Sequence, residues 1–185
     1  MKVKIVAVAT GEEITAQIRP ARLEDISLWQ QWKDQIPATA EDAHWHWDEY
    51  ISMAEIYPQQ LACFTLLADG RVQGLILLEL KHENERGEQD IHALRISTAP
   101  WNRLPNKQFK YAGSLLLATA VKFSFERGCE GRLWLESLPG AEGFYLHLGM
   151  IKLSERSPEE ELVQFKFDTK EAVSFLHNMK EGFLE

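Results

Sequence analysis

Apolar and polar positions along the chain recur with two periods, and these separate extended segments from helical ones. Residues 2–8 (KVKIVAV) and 14–19 (ITAQIR) alternate with period two and predict strands, separated by the turn-prone Thr10-Gly11-Glu12. Residues 23–35 carry Ile26, Trp29 and Trp32 at helical spacing, with Leu28 beside them, between Pro20 and Pro37. A second helix is predicted within 40–57, where Trp45, Trp47, Ile51, Met53 and Ile56 are interleaved with acids ahead of Pro58. Segments 61–68 and 71–80 read as a hairpin about Asp69-Gly70. A polar loop, 81–89, leads to a strand over 90–98, and an irregular stretch with Pro100 and Pro105 follows. Residues 110–127 then predict a long apolar helix that Gly128 caps. The order closes with a strand at 131–136, a short helix at 141–148, strands at 150–153 and 161–167, and a helix at 169–180.

This order predicts an α/β fold with one mixed sheet: a central antiparallel meander followed by a βαβ unit, with helices on both faces. Strands 90–98 and 131–136 form the expected parallel pair. No repeat, low-complexity tract or linker interrupts residues 1–185, so a single domain is expected.

Composition narrows the function classes. The chain is 45% hydrophobic and 26% charged, as ordinary globular proteins are. Its formal net charge of −8 argues against non-specific nucleic-acid binding, and an acidic field favours a cationic acceptor such as an amine. Cys63 and Cys129 form no CxxC pair or zinc-type cluster, so no metal is expected. Residues 1–10 lack the apolar stretch of a signal peptide, and no apolar run reaches the length of a membrane span. The expectation is a reduced, cytoplasmic protein with no membrane association.

One segment carries candidate chemistry. Gln108-Phe109-Lys110-Tyr111-Ala112-Gly113-Ser114 opens the long helix after strand 90–98. Small residues at a helix start give a ligand access to unpaired N–H groups and to the positive end of the dipole, which favours an anion. A pyrophosphate there would be bound by backbone, with Lys110 adding charge.

With this element order, the chain resembles the GNAT superfamily of N-acetyltransferases over roughly residues 14–167. In the family's pyrophosphate pattern, an arginine or glutamine is followed by two residues, a glycine, one residue, and a glycine or alanine. Gln108 matches the first position and Gly113 the last, while Tyr111 stands where the first glycine belongs. The stretch 141–150 (AEGFYLHLGM) resembles the family's alanine, Phe-Tyr and Leu-Gly segment. Ile18-Arg19-Pro20-Ala21 and Glu24-Asp25 resemble its first strand and helix, and Leu138 stands where many members have an asparagine.

The resemblance implies transfer of an acetyl group from acetyl-CoA to an amine of a small molecule or peptide. It assigns Ile96, Ser97, Thr98, Gln108, Lys110, Tyr111, Ala112, Gly113 and Ser114 to the cofactor. It makes Tyr145 the general acid and places His92 where some members carry a base, with Glu79 as a competing base. His44-Trp45-His46-Trp47 falls in the predicted second helix, where two histidines at i and i+2 would point apart. Trp45 or Trp47 would then contact the acceptor. Two rival readings are a non-catalytic acyl-CoA-binding module and a homodimer built on the aromatic segment 23–57.

Overall fold

In the computed structural model the described residues are 1–83, 87–105, 107–153 and 162–180. They form one open nine-stranded sheet, whose strands in chain order are β1 Lys2–Ala7, β2 Glu13–Pro20, β3 Leu61–Ala68, β4 Arg71–Glu83, β5 Gln89–Thr98, β6 Phe109–Lys110, β7 Leu133–Ser137, β8 Ile151–Lys152 and β9 Val163–Phe167. The spatial order is β6-β1-β2-β3-β4-β5-β7-β9-β8. Strands β3, β4 and β5 make the antiparallel meander, and β5 and β7 are parallel. Five helices accompany the sheet: α1 Asp25–Lys33, α2 Trp47–Ile56, α3 Ala112–Glu126, α4 Glu142–His147 and α5 Thr169–Lys180.

Alternation along the central strands divides the core in two. Ile76 and Leu78 of β4 join Leu115, Leu116 and Leu117 of α3 in one cluster. Leu75 and Leu77 turn to the other face and pack with Trp29, Trp32, Trp47 and Ile51 from α1 and α2. Full burial of each such side chain is worth about 1.5–3 kcal/mol, so both faces need their helices. Gly74 lets α3 sit close to β4: a Cβ there would come within 2.7 Å of the Leu116 side chain.

Three segments differ from the sequence expectation. The long helix begins at Ala112, because Phe109 and Lys110 pair with Ala7 and Val6 as an edge strand. Tyr111 then takes a left-handed φ of 73°, which no helix interior allows. The second helix begins at Trp47, so His44, Trp45 and His46 lie in the turn before it. The two histidines therefore have no helical phase, and that ground against shared ligation falls away. The two strands expected around 150–167 shrink to Ile151–Lys152 and Val163–Phe167, and residue 161 lies outside the described residues. Trp29, Trp32 and Trp47 are each at most 2% exposed, so they serve the core of this chain.

A bulge shapes the loop that follows β5. In the β3–β4 ladder, Leu66 opposes Gly74 and Leu67 opposes Val72, which leaves Gln73 as the extra residue. Its side-chain oxygen accepts from Trp101 Nε1 and Asn102 Nδ2, both at 2.8 Å. Its backbone carbonyl accepts from Ala99 N at 3.0 Å. Asn102 Oδ1 in turn accepts from Phe109 N at 3.2 Å. Loop 99–108 is thus anchored at both ends to the sheet.

Candidate active site

Strands β5 and β7 pair only through Ile91–Leu133, His92–Trp134 and Ala93–Leu135. Beyond Ala93 the ladder of β5 with β4 slips by one residue: Leu78 opposes Ala93 and Leu77 opposes Arg95, leaving Leu94 as a bulge. A bulge bends its strand. From here β5 and β7 part, and the backbone edge of residues 94–98 no longer faces a paired strand on the β7 side.

Two recesses open at this split. The larger, about 540 Å³, is bounded by Ile96, Ser97 and Thr98 of β5, Ala112 and Gly113 of α3, and Phe144 and Tyr145 of α4. The smaller, about 270 Å³, is lined by His44, Trp45, Leu94, Arg95 and Glu136. Ile96, Leu138, Ala141 and Tyr145 line both. Tyr145 is therefore part of the wall between the recesses. Its side chain is 4% exposed, with Phe144 edge-on at 5.3 Å and Phe165 tilted at 5.6 Å. Burial pushes its phenol pKa upward, so the hydroxyl keeps its proton well above neutrality.

The larger recess offers donors and cations. The first bond within α3 is Leu115 N to Tyr111 O, so the N–H groups of Ala112, Gly113 and Ser114 precede the helical ladder. Arg103 and Lys107, from the anchored loop, also line it. Arg103 donates from Nη1 and Nη2 to the two Asp42 oxygens at 2.8 and 2.6 Å. It also donates to Ser97 Oγ at 3.0 Å and, from Nε, to the Thr98 carbonyl at 2.9 Å. Ser97 Oγ donates to Asp42 Oδ2 at 2.5 Å. Burial alone would raise the Asp42 carboxyl pKa, but the bonds from Arg103 and Ser97 outweigh it and hold the value below normal. Next to it, Glu41 accepts from Gly140 N at 3.3 Å. Residues 39–42 thus strap the recess from the end of β5 to the turn after β7.

No protein-family profile and no curated protein matches the chain in sequence. Solved structures do match in shape. A protein of Desulfovibrio desulfuricans assigned to the GNAT family of acetyltransferases superposes with a TM-score of 0.64 at 13% identity, over 83% of this chain and 99% of that one. This chain has the GNAT fold. The PaiA N-acetyltransferase of Thermoplasma acidophilum, solved with coenzyme A, gives a TM-score of 0.56 at 15% identity, over 82% and 97% of the two chains. AtaTR, solved with acetyl-CoA, gives 0.58 at 18% identity, over 86% and 96%.

On this GNAT frame, the residues singled out from the sequence divide into two groups. Ile96, Ser97, Thr98, Ala112, Gly113 and Tyr145 line the larger recess. Gln108, Lys110, Tyr111 and Ser114 are not part of its wall. Gln108 Oε1 accepts from Arg71 at 3.4 Å, and Lys110 and Tyr111 are exposed on the outer edge. The Gly113 backbone is small for a packing reason, since a Cβ there would lie 3.0 Å from Phe144 Cζ. His92 lines neither recess. Its ring stacks on Trp134 at 3.6 Å with an 8° interplanar angle, and its Nδ1 lies 3.4 Å from Glu79 Oε2.

No motif or periodicity marks Asp42, Arg103 and Lys107. They are ordinary charged residues in two loops, and only the topology brings residues 42 and 103 together. Among the described residues, no cluster of three or more His, Cys, Asp or Glu has the arrangement of a metal site, and no helix is long and apolar enough to cross a membrane.

Proposed function

We propose that this chain is an acetyl-CoA-dependent N-acetyltransferase that moves an acetyl group directly to an amine. The observation that carries this reading is the position of Tyr145 in the wall shared by two recesses, at the point where the parallel strands part. The larger recess fits the cofactor's chemistry. The N–H groups of Ala112 and Gly113, with Lys107, suit a pyrophosphate, while Arg103, paired with Asp42, shapes the wall beside them. The free edge of Ile96–Thr98 suits the amides of a pantetheine arm. Acetyl-CoA bound there supplies the acetyl group as a thioester.

The smaller recess then receives the amine. The nitrogen–carbon bond forms as the carbon–sulfur bond breaks, the amine gives up one proton, and the departing sulfur takes one. Tyr145 holds a proton at its hydroxyl toward the shared wall, and its raised pKa keeps that proton available at every physiological pH. His44 and Glu136 line the acceptor recess and take the base's role directly or through water. His92, wedged between Trp134 and Glu79, instead braces the paired part of β5 and β7.

The test is release of coenzyme A thiol from acetyl-CoA across an amine library, with acetylated product identified by mass. Acceptor-dependent thiol release supports the reading. Binding of acetyl-CoA with no turnover of any amine would favour a non-catalytic acyl-CoA-binding module of the same fold.

A further inference from the structure

The acceptor recess contains an arginine whose charge no carboxylate among the described residues answers. The Leu94 bulge sends Leu94 toward the tryptophan cluster and sets the Arg95 guanidinium 5.2 Å from the Trp45 ring centroid. Arg95 Nη1 donates to the Leu94 carbonyl at 2.6 Å. Its Nε is buried and bonds to nothing. No carboxylate among the described residues lies within ion-pair reach of Arg95.

Among the described residues, three of the other four half-buried arginines pair with a carboxylate, and the fourth, Arg71, lies over the Trp101 ring at 4.6 Å and donates to Gln108, outside both recesses. Arg19 pairs with Asp25 at 2.7 Å, Arg103 with Asp42 at 2.6 Å and Arg132 with Asp90 at 2.9 Å. Among the described half-buried arginines without a carboxylate, Arg95 alone stands in the wall of a recess and alone has a buried donor with no partner. Unpaired donors held out of water are costly, and a bidentate carboxylate is the anion that the planar guanidinium fits best. In the same recess Glu136 is exposed and offers a negative site. Charges of both signs lining one small recess match a ligand that is itself a zwitterion.

We infer that the acceptor is an amine that also bears a carboxylate, of the amino-acid class, with Arg95 holding the carboxylate and Glu136 attracting the ammonium. This rests on the acetyltransferase reading and makes it specific. It also replaces the expectation drawn from net charge, since a purely cationic acceptor would meet Arg95 unfavourably.

The experiment is calorimetric titration of the protein, saturated with coenzyme A, using the twenty protein L-amino acids, their carboxamides and their decarboxylated amines. At least one acid is expected to bind about 10–100-fold more tightly than its amide, the range of a charge-assisted pair. Arg95→Gln should erase that preference while the rise in melting temperature given by coenzyme A persists, which also shows that the variant is folded. Arg95→Lys should restore only part of the preference. Equal binding of acid and amide, or binding of neither while coenzyme A still raises the melting temperature, overturns this inference alone. A wild-type protein that does not respond to coenzyme A overturns the acetyltransferase reading and this inference with it.

Discussion

Arg103 holds Asp42 through two hydrogen bonds of 2.8 and 2.6 Å, across 61 residues of chain and in the lining of the larger recess. The pair joins the anchored loop after β5 to the strap at 39–42. Asp42→Asn should therefore lower stability by about 2–3 kcal/mol, because it weakens a largely buried pair and leaves the Arg103 charge without its partner. In a chain of this size that is a fall in Tm of roughly 5–10 °C. The effect should depend on pH. The folded-state pKa of Asp42 is depressed below the ordinary 3.8, so its contribution is complete above that value and is lost as pH falls through the folded pKa. Melting curves of wild type and Asp42→Asn should differ fully at pH 6 and converge in strong acid. A constant gap down to pH 2 would refute the pairing.

Tyr111 occupies a backbone conformation suited to glycine, with φ at 73°. A non-glycine residue held there costs about 1–3 kcal/mol, partly offset by the greater freedom that glycine gives the unfolded chain. Tyr111→Gly should therefore stabilise the protein by about 1 kcal/mol, while Tyr111→Val should destabilise it. Denaturant midpoints at constant slope are the readout.

Gly113 has two explanations that mutation can separate. If Phe144 packing is the whole reason for its size, Gly113→Ala should be rescued in both stability and coenzyme A affinity by Phe144→Leu. If ligand approach also matters, the double variant should recover stability but not affinity. We expect the second result, because Gly113 lines the recess as well as touching Phe144. Paired thermal and calorimetric measurements give the answer.

Tyr145→Phe removes only a hydroxyl and keeps the ring between Phe144 and Phe165. With any active acceptor, kcat should fall by about 10²–10⁴-fold while coenzyme A affinity stays nearly constant. Wild-type turnover in this variant would take Tyr145 out of the proton transfer.

Much of the fold was legible because it rests on periodicity. The continuous apolar run Leu75–Leu78 in β4 reports two buried faces, and Asp69-Gly70 marks the hairpin. The helical rhythm of α3 and its Gly128 stop place the crossover that makes β5 and β7 parallel. The misread segments are those where local pattern loses to tertiary pairing. Phe109 and Lys110 look like the start of a helix until β1 offers them a ladder, and His44–His46 looks helical until the strap needs a turn. The site was legible only in part for a related reason. Ile96, Ala112 and Tyr145 sit on regular elements whose positions follow from the topology. Asp42, Arg103 and Arg95 owe their positions to loops and to bulges at Gln73 and Leu94, which no residue type announces. Gln108 matched a motif letter, yet its side chain turns outward to Arg71.

The central claim is that the recess beside Tyr145 binds acetyl-CoA. The most direct measurement is the melting temperature of the wild-type protein against acetyl-CoA concentration, with calorimetry at 25 °C as its companion. A ligand that binds only the folded state adds RT ln(1 + [L]/Kd), about 2.7 kcal/mol at a hundredfold excess over Kd. The account predicts a saturable rise in Tm of roughly 5–10 °C, with a matching heat of binding. Millimolar acetyl-CoA that produces neither the rise nor the heat would contradict it.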